Sequence, residues 1–194
     1  MYMKKILIIN ANPVKDSLCT ALAEAYEKGA TGAGASCKMI FLADLKFDPV
    51  MRYGYKKRME MEPDLIAVQQ DILDADHLVF VYPNWWATYP ALLKGFFDRT
   101  FVPGFAFRYR DNSPMWDKLL VGKTARLLVT MDTPRWFYRL FYKNAGHHTI
   151  KFGILEFSGI KPVKIRSFSP VKSSSAEQRN KWLKQAEEIG SQLF

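Results

Sequence analysis

The sequence predicts a doubly wound α/β fold, in which helices cover both faces of a five-stranded parallel sheet. Short, continuously apolar runs, typical of strands buried on both faces, alternate with longer segments of helical periodicity. Strand–helix alternation of this kind implies a parallel sheet with right-handed crossovers. We expect the strand order 2-1-3-4-5, and we expect residues 1–194 to form a single domain.

The predicted strands and helices follow from these runs and from local stop and start signals. The strands are residues 5–11, 36–42, 77–82, 124–130 and 161–168. The helices are residues 17–29, 64–74, 90–101 and 149–157, followed by a last helix that opens at Ser174-Ser175-Ala176-Glu177, a capping-box pattern. Gly29 is interpreted as the stop of the first helix, and Pro90 as a first helical residue. Residues 43–63 and 102–123 are predicted to be irregular.

Composition limits the partners and the compartment. The net charge of +9 and the pI of about 9.5 favour anionic partners. The basic residues are scattered, so we expect no nucleic-acid partner, and no apolar run approaches the roughly 20 residues of a membrane span. The two cysteines, Cys19 and Cys37, form no CxxC pair, and the three histidines give no spaced ligand set. We therefore expect a cytoplasmic protein with free thiols and no metal.

Ligands of doubly wound sheets bind beyond the carboxyl ends of the strands, where the strand order reverses. The loop after the first strand, NANPVKDSLCT, runs into a helix N-terminus, whose free N–H groups favour an anion. Ser17 adds a hydroxyl and Lys15 a positive charge, but this stretch alone favours the simpler interpretation that Asp16 or Ser17 is only an N-cap. Neither GxGxxG nor a Walker motif is present.

Two further loops at the same edge carry aromatic residues. YPNWWATYP, residues 82–90, follows the third strand, and TMDTPRWFY, residues 130–138, follows the fourth. Trp85 and Trp86 could belong to the core or to a dimer interface, but a stacking platform for a flat ligand suits a strand end better. The three loops together predict an aromatic ligand that carries phosphate, and a flavin nucleotide has both parts.

Residues 64–109 resemble the flavodoxin-like quinone reductases of the DT-diaphorase type. The similarity includes the Tyr-Pro pair that begins YPNWWATYP, Trp86, Pro90, the ALLKGFFDR helix and the GFAFRY loop. ILIINANPVKDSLCTALAEAY and GILEFSGIKPV are similar to the first phosphate loop and the last helix–strand junction of that family. The resemblance implies a flavodoxin-like three-layer fold and a noncovalent flavin, either FAD or FMN. It also implies NAD(P)H as co-substrate, a quinone or other aromatic acceptor, and a homodimer with active sites at the subunit interface.

The matching positions imply roles for individual residues. Those along the flavin phosphate chain are Asn12, Ser17, Leu18 and Cys19. Those along the isoalloxazine ring are Pro83, Asn84, Trp85 and Trp86 on one side and Thr130, Met131, Asp132 and Thr133 on the other. Tyr138 stands at the offset of a family charge-relay tyrosine. His147 or His148 stands near the position of the family histidine that partners it, without aligning with it, and His147 is taken as the candidate. The chain departs from the family at Asn12, often a histidine, at Cys19, often an asparagine, and at Asp132-Thr133, a Gly-Gly pair.

The resemblance implies two-electron, ping-pong hydride transfer from NAD(P)H to a quinone. Two other functions stay open at this point. An ancillary or regulatory flavoprotein subunit of a potassium-efflux system would share the fold. A flavodoxin-type electron carrier would dock through an acidic surface, whereas this chain is basic.

Overall fold

The computed structural model describes residues 3–54 and 56–194, and it confirms the predicted parallel sheet. The sheet strands are β1 (Lys5–Asn10), β2 (Ser36–Phe41), β3 (His77–Pro83), β6 (Thr124–Thr130) and β7 (Val163–Phe168). Their spatial order is β2-β1-β3-β6-β7, and every neighbouring pair is parallel. This is the predicted order 2-1-3-4-5, once β4 (Phe107–Tyr109) and β5 (Trp116–Lys118) are set aside as a separate antiparallel pair.

Helices cover both faces of the sheet, as the fold class requires. The helices are α1 (Leu18–Gly32), α2 (Pro63–Asp74), α3 (Ala91–Thr100), α4 (Arg135–Phe141), α5 (Ala145–His148) and α6 (Ala176–Ser191). α1 and α6 share one apolar cluster with the sheet, and α2 and α3 share another with its opposite face. No helix within residues 3–54 and 56–194 is long and apolar enough to cross a membrane.

The prediction that Gly29 ends the first helix is wrong, because α1 continues through it to Gly32. Gly29 instead marks the point where α1 touches α6. A Cβ atom built on Gly29 would lie 1.9 Å from the carbonyl oxygen of Glu187, and one on Gly190 would lie 2.2 Å from that of Tyr26. The two glycines therefore allow the helix backbones to approach more closely than side chains would permit.

Several helix and strand boundaries differ from the sequence prediction. Residues 102–123 contain the β4–β5 hairpin rather than an irregular loop. The predicted helix 149–157 starts earlier, with α5, and widens into a π-helix at Thr149–Glu156. Pro90 is the N-cap of α3 rather than its first residue, and Ser175, not Ser174, caps α6 by accepting a hydrogen bond from the Gln178 N–H. α4 was not predicted.

The loop between β2 and α2 is held against α3 by one buried arginine. Arg99 donates hydrogen bonds to the carbonyl oxygens of Asp48 and Glu60, and it pairs with the Glu62 carboxylate at 2.7 Å. Burial raises the pKa of Glu62, but hydrogen bonds from backbone N–H groups and from Arg99 outweigh it and hold that pKa below its usual value. This clamp fixes the loop without regular secondary structure.

Candidate functional site

The loops after β1, β3 and β6 meet at the carboxyl edge of the sheet, and Thr130 joins all three. The Thr130 hydroxyl lies 3.3 Å from the thiol sulfur of Cys19, at the start of α1. The Thr130 carbonyl oxygen accepts a hydrogen bond of 2.7 Å from the N–H of Asn84, the first residue after β3. Pro83 is buried and lies opposite Thr130 in the sheet register. Predicted site residues from three loops thus come together around one residue.

The loop after β1 is preformed by asparagine side chains. The Asn10 side chain accepts a hydrogen bond from the Asn12 N–H, and the Asn12 side chain accepts one from Val14, both of 3.0 Å. The Ser17 hydroxyl caps α1 by accepting from the Thr20 N–H. The N–H groups of Leu18 and Cys19 precede the first helical hydrogen bond, so they are available to an anion.

Two residues of this loop behave differently from the sequence expectation. Lys15 forms an ion pair of 2.8 Å with Asp44, so its charge is already paired with a carboxylate. Burial raises the pKa of the Cys19 thiol to about 11, against weaker hydrogen bonds to Thr130 and Asn12. Cys19 is therefore a protonated, buried thiol at neutral pH, and it fills space between the loops without acting as a nucleophile.

The loop after β3 is a tight turn in a strained conformation. Trp85 and Thr88 exchange backbone hydrogen bonds of 2.8 and 3.0 Å. The two residues between them, Trp86 and Ala87, both have positive φ, 51° and 61°. This is the φ pattern of a type I′ turn, which normally uses asparagine and glycine. Residues other than glycine in this region cost roughly 1–3 kcal/mol each, and such strain is concentrated at functional sites.

The turn projects its indole side chains out of the fold. Trp86 is 98% exposed and Trp85 is 46% exposed. Trp86 is thus not a core residue of this chain, which excludes one of the two alternatives left open by the sequence. A fully exposed indole on a strained, hydrogen-bonded turn is typical of a binding platform rather than of packing.

The side chain of Tyr138, on α4, supports the turn at residues 85–88 through hydrogen bonds. Its buried hydroxyl donates a hydrogen bond of 2.9 Å to the Ala87 carbonyl and accepts one of 3.0 Å from the Gly146 N–H. A Cβ atom on Gly146 would lie 2.8 Å from the Ala87 carbonyl oxygen and 2.9 Å from the Tyr138 hydroxyl, so only glycine fits here. Burial raises the pKa of Tyr138, which keeps the hydroxyl protonated.

His147 packs edge-on against Tyr138, with ring centroids 5.0 Å apart. The structure therefore brings Tyr138 and His147 together, whereas the exposed His148 packs against Phe152 instead of Tyr138. Burial, assisted by the nearby charges of His148 and Arg135, lowers the pKa of His147 to about 4. The imidazole is neutral at pH 7, and its Nε2 lies 3.4 Å from the Ser167 hydroxyl.

The residues after β6 connect the site to the end of β7 through hydrogen bonds. Met131 is buried, and its N–H donates to the Phe168 carbonyl. The Asp132 carboxylate accepts a hydrogen bond of 2.7 Å from the Lys172 N–H, so it anchors the loop after β7. Thr133 is half-buried beside it. The Asp132 carboxylate, which stands where the resemblance places a glycine, is thus hydrogen-bonded to a backbone N–H group.

A cavity of about 730 Å³ lies beside these residues, between α4, the π-helix and the end of β7. Its lining includes Met131, Tyr138 and His147 among the predicted residues, together with Ser167 and Ser169. Its volume falls in the range of about 300–1,000 Å³ that small-molecule sites occupy. Within residues 3–54 and 56–194, no cluster of three His, Cys, Asp or Glu side chains could hold a metal ion.

Three residues that position the site were not predicted. The Ala87 carbonyl accepts a hydrogen bond from the Tyr138 hydroxyl, the Gly146 N–H donates one to it, and the Asn10 side chain accepts one within the first loop. The Asn10-Ala11-Asn12 spacing signalled a turn after β1. No sequence signal marked Gly146, because its requirement arises from a contact with residues nearly sixty positions away.

A doubly wound sheet with a preformed anion loop and an aromatic turn at its switch point defines a class of nucleotide-binding α/β proteins. Comparison with known proteins narrows this class. A family model described as flavodoxin-like fold matches residues 4–192. The chain belongs to this flavodoxin-like family, and its relatives include the quinone reductases that the sequence resembles, which confirms that resemblance.

Two curated relatives and one solved structure illustrate the similarity. The chain is 30% identical over 159 residues to NAD(P)H dehydrogenase (quinone) 1 of Cavia porcellus, a match covering 71% of this chain and 57% of that protein. It is 28% identical over 203 residues to ribosyldihydronicotinamide dehydrogenase (quinone) of Pongo abelii, covering 91% and 86%. The structure of Smu.1420 from Streptococcus mutans UA159 superposes with a TM-score of 0.82 at 27% identity, covering 97% of this chain and 99% of that one. The chain thus spans less than two thirds of the first relative's length.

Proposed function

We propose that this protein is a flavin-dependent NAD(P)H oxidoreductase that reduces quinones or similar aromatic acceptors. The observation that carries the proposal is the turn at residues 85–88, which presents a fully exposed Trp86 next to a preformed anion loop. A flavin nucleotide needs both features, a flat surface for its ring and N–H donors for its phosphate. The family membership of the chain supports the same activity.

The residues present fit a noncovalent flavin. The free N–H groups of Leu18 and Cys19, with Ser17 and Asn12, would hold a phosphate. Pro83, Asn84, Trp85 and Trp86 would lie along one side of the ring, with Thr130, Met131, Asp132 and Thr133 on the other. When bound, the flavin supplies hydride acceptance and donation, and the protein binds, orients and shields it. FAD and FMN both remain compatible with these donors.

The cavity beside Tyr138 is the proposed site for the nicotinamide and for the acceptor, which would occupy it in turn. Its wall carries a protonated Tyr138 hydroxyl and a neutral His147 imidazole. Both can exchange protons with a reacting oxygen, and the cations Arg135, Arg139 and Lys151 line the same cavity. We propose Tyr138 and His147 as the proton-handling pair, and the use of one cavity by two substrates implies ping-pong kinetics.

We also propose that the functional unit is a homodimer. A second groove, of about 340 Å³, lies on the other side of the π-helix and is lined by aromatic residues including Phe107, Tyr109 and Phe157. Tyr109 is exposed although it is large and apolar, as expected for a residue covered by a second copy. Sedimentation should give the mass of two chains, and Tyr109→Ser should shift it toward one. A wild-type monomer at all concentrations would contradict the dimer.

The proposed activity predicts a yellow protein with a reversible two-electron cycle. Purified protein should release a flavin identifiable by mass, should bleach with NADPH or NADH in the absence of oxygen, and should recover its colour on addition of a quinone. A matched sample boiled before NAD(P)H addition controls for free flavin. A colourless protein that takes up neither FMN nor FAD would overturn the proposal.

Turnover separates the proposed enzyme from its two rivals. A regulatory subunit of a potassium-efflux system would bind flavin but would be expected to copurify with a membrane partner. An electron carrier of the flavodoxin type would bind flavin without steady-state oxidation of NAD(P)H. The net charge of +9 argues against the carrier, which requires an acidic docking surface.

A further inference from the structure

The short helix α4 exposes an unusual combination of aromatic and basic side chains. Trp136 is 62% exposed and Phe141 is 65% exposed, and Leu140 is exposed between them. Trp136 and Leu140 lie four residues apart and therefore on one face of the helix. Phe141 stacks on Phe137 at 4.3 Å, which holds its ring in place. An exposed apolar patch of this kind, rimmed by polar residues, marks an interaction surface.

Cations surround this apolar face and no carboxylate offsets them. Residues 133–155 contain no aspartate or glutamate, but they contain Arg135, Arg139, Lys143 and Lys151. The flanking carboxylates are already engaged, since Asp132 accepts from the Lys172 N–H and Glu156 faces Lys151 at 3.8 Å. Within the part of the chain that the structure describes, no ion pair joins Arg135, Arg139 or Lys143 to a carboxylate. The surface therefore carries uncompensated positive charge at the mouth of the cavity beside Tyr138, which Arg135, Trp136 and Arg139 also line.

These observations favour an anionic partner that also accepts apolar rings. In a symmetric contact centred on α4, the patch of one copy meets the patch of the other, and residues 133–155 supply no carboxylate to pair with the cations. A bilayer that contains anionic lipid offers phosphate groups for the arginines and an acyl boundary for the indole and phenyl rings. Tryptophan with flanking arginine and lysine is typical of segments that lie at this boundary.

We propose that the α4 surface, formed by Arg135, Trp136, Arg139, Leu140 and Phe141, docks the protein reversibly on the anionic face of a phospholipid bilayer. The arginines contact lipid phosphates, and the apolar side chains enter the headgroup region. Tyr138 stays inside the fold, because its hydroxyl is bound to Ala87 and Gly146. Docking is peripheral and involves no spanning segment.

Flotation with vesicles tests the proposal on the purified protein. Wild-type protein should float with vesicles of phosphatidylcholine mixed with phosphatidylglycerol, but not with phosphatidylcholine alone, and binding should weaken as salt is raised. The double exchange Trp136→Ser with Phe141→Ser should weaken binding by about tenfold or more. The double exchange Arg135→Gln with Arg139→Gln should do the same at low salt, which keeps the test valid if the first variant fails to fold.

The matched control removes two cations from the opposite face of the sheet. Lys28 and Lys184 are exposed on α1 and α6, so Lys28→Gln with Lys184→Gln changes the net charge equally and should leave flotation unchanged. Absence of wild-type binding to anionic vesicles would overturn the proposal. It would also be overturned if the Lys28 and Lys184 exchange weakened flotation as much as the Arg135 and Arg139 exchange does. If the Trp136 and Phe141 exchange converts a dimer into a monomer and leaves flotation intact, the surface binds a second copy and the proposal is wrong.

Discussion

Replacing Gly29 with alanine is expected to lower the free energy of unfolding by about 2 kcal/mol or more. The new Cβ atom would lie 1.9 Å from the Glu187 carbonyl oxygen, and this neighbour is backbone that cannot rotate away. α1 and α6 would have to separate, which opens the apolar cluster between them and the sheet. The gain of about 1 kcal/mol in helix propensity offsets only part of this loss. Urea denaturation followed by circular dichroism measures the difference.

Gly32 provides the control within the same helix. A Cβ atom on Gly32 meets nothing within 4 Å, so Gly32→Ala should be neutral or should stabilise the protein by up to about 1 kcal/mol. Gly190→Ala should reproduce the loss from the other helix, because its Cβ atom would lie 2.2 Å from the Tyr26 carbonyl oxygen. Equal stabilities for the Gly29 and Gly32 variants would show that the helices do not touch at this point.

Replacing Tyr138 with phenylalanine is expected to weaken flavin binding by about tenfold or more while the fold remains intact. The exchange leaves the Ala87 carbonyl and the Gly146 N–H without their partner, at a cost of roughly 1–3 kcal/mol. The turn at residues 85–88 holds two positive-φ residues in place, so it should relax when this support is lost. A loss of about 1.4 kcal/mol in binding corresponds to a factor of ten in the dissociation constant. Fluorescence titration of the apoprotein with FMN and with FAD gives the dissociation constant.

The same exchange separates a supporting role of Tyr138 from a catalytic one. Tyr142→Phe is the control, since Tyr142 lies at the end of α4 and is half exposed. If Tyr138 only supports the turn, saturating flavin should restore turnover in the variant. If it handles protons, turnover should stay low at saturation and its pH profile should change. Unchanged flavin affinity together with unchanged turnover would contradict both roles.

The centre of the sheet was predictable because β1, β3 and β6 are largely apolar runs that report burial on both faces. KILIIN and HLVFVY could be predicted as strands from these segments alone. The alternation of strands with segments of helical periodicity predicted a doubly wound parallel sheet, and the strand order expected for that fold class is the one observed. The loops that follow strands at the switch point were predictable for the same reason, since topology alone brings them to one edge. The meeting of residues 12, 19 and 130 follows from that topology.

The remaining features depend on contacts that local sequence does not report. Gly29 was taken as a helix stop because glycine commonly ends helices, but close packing on Glu187 explains it. The positive φ of Trp86 and Ala87 was not predictable either, because neither residue favours it and a distant hydroxyl enforces it. Arg99 organises an irregular loop through backbone carbonyls, which leave no pattern in the sequence.

The junction at Thr130 has a consequence for the synthesis of the protein. Its hydroxyl reaches Cys19, 111 residues earlier in the chain, and its carbonyl binds Asn84. A nascent chain from which the first loop and the tryptophan turn have left the ribosome therefore still lacks the residue that joins them. The site can assemble only after β6 has left the ribosome and entered the sheet between β3 and the place of β7. Its formation is thus a late, long-range event, and no fragment ending before residue 130 contains it.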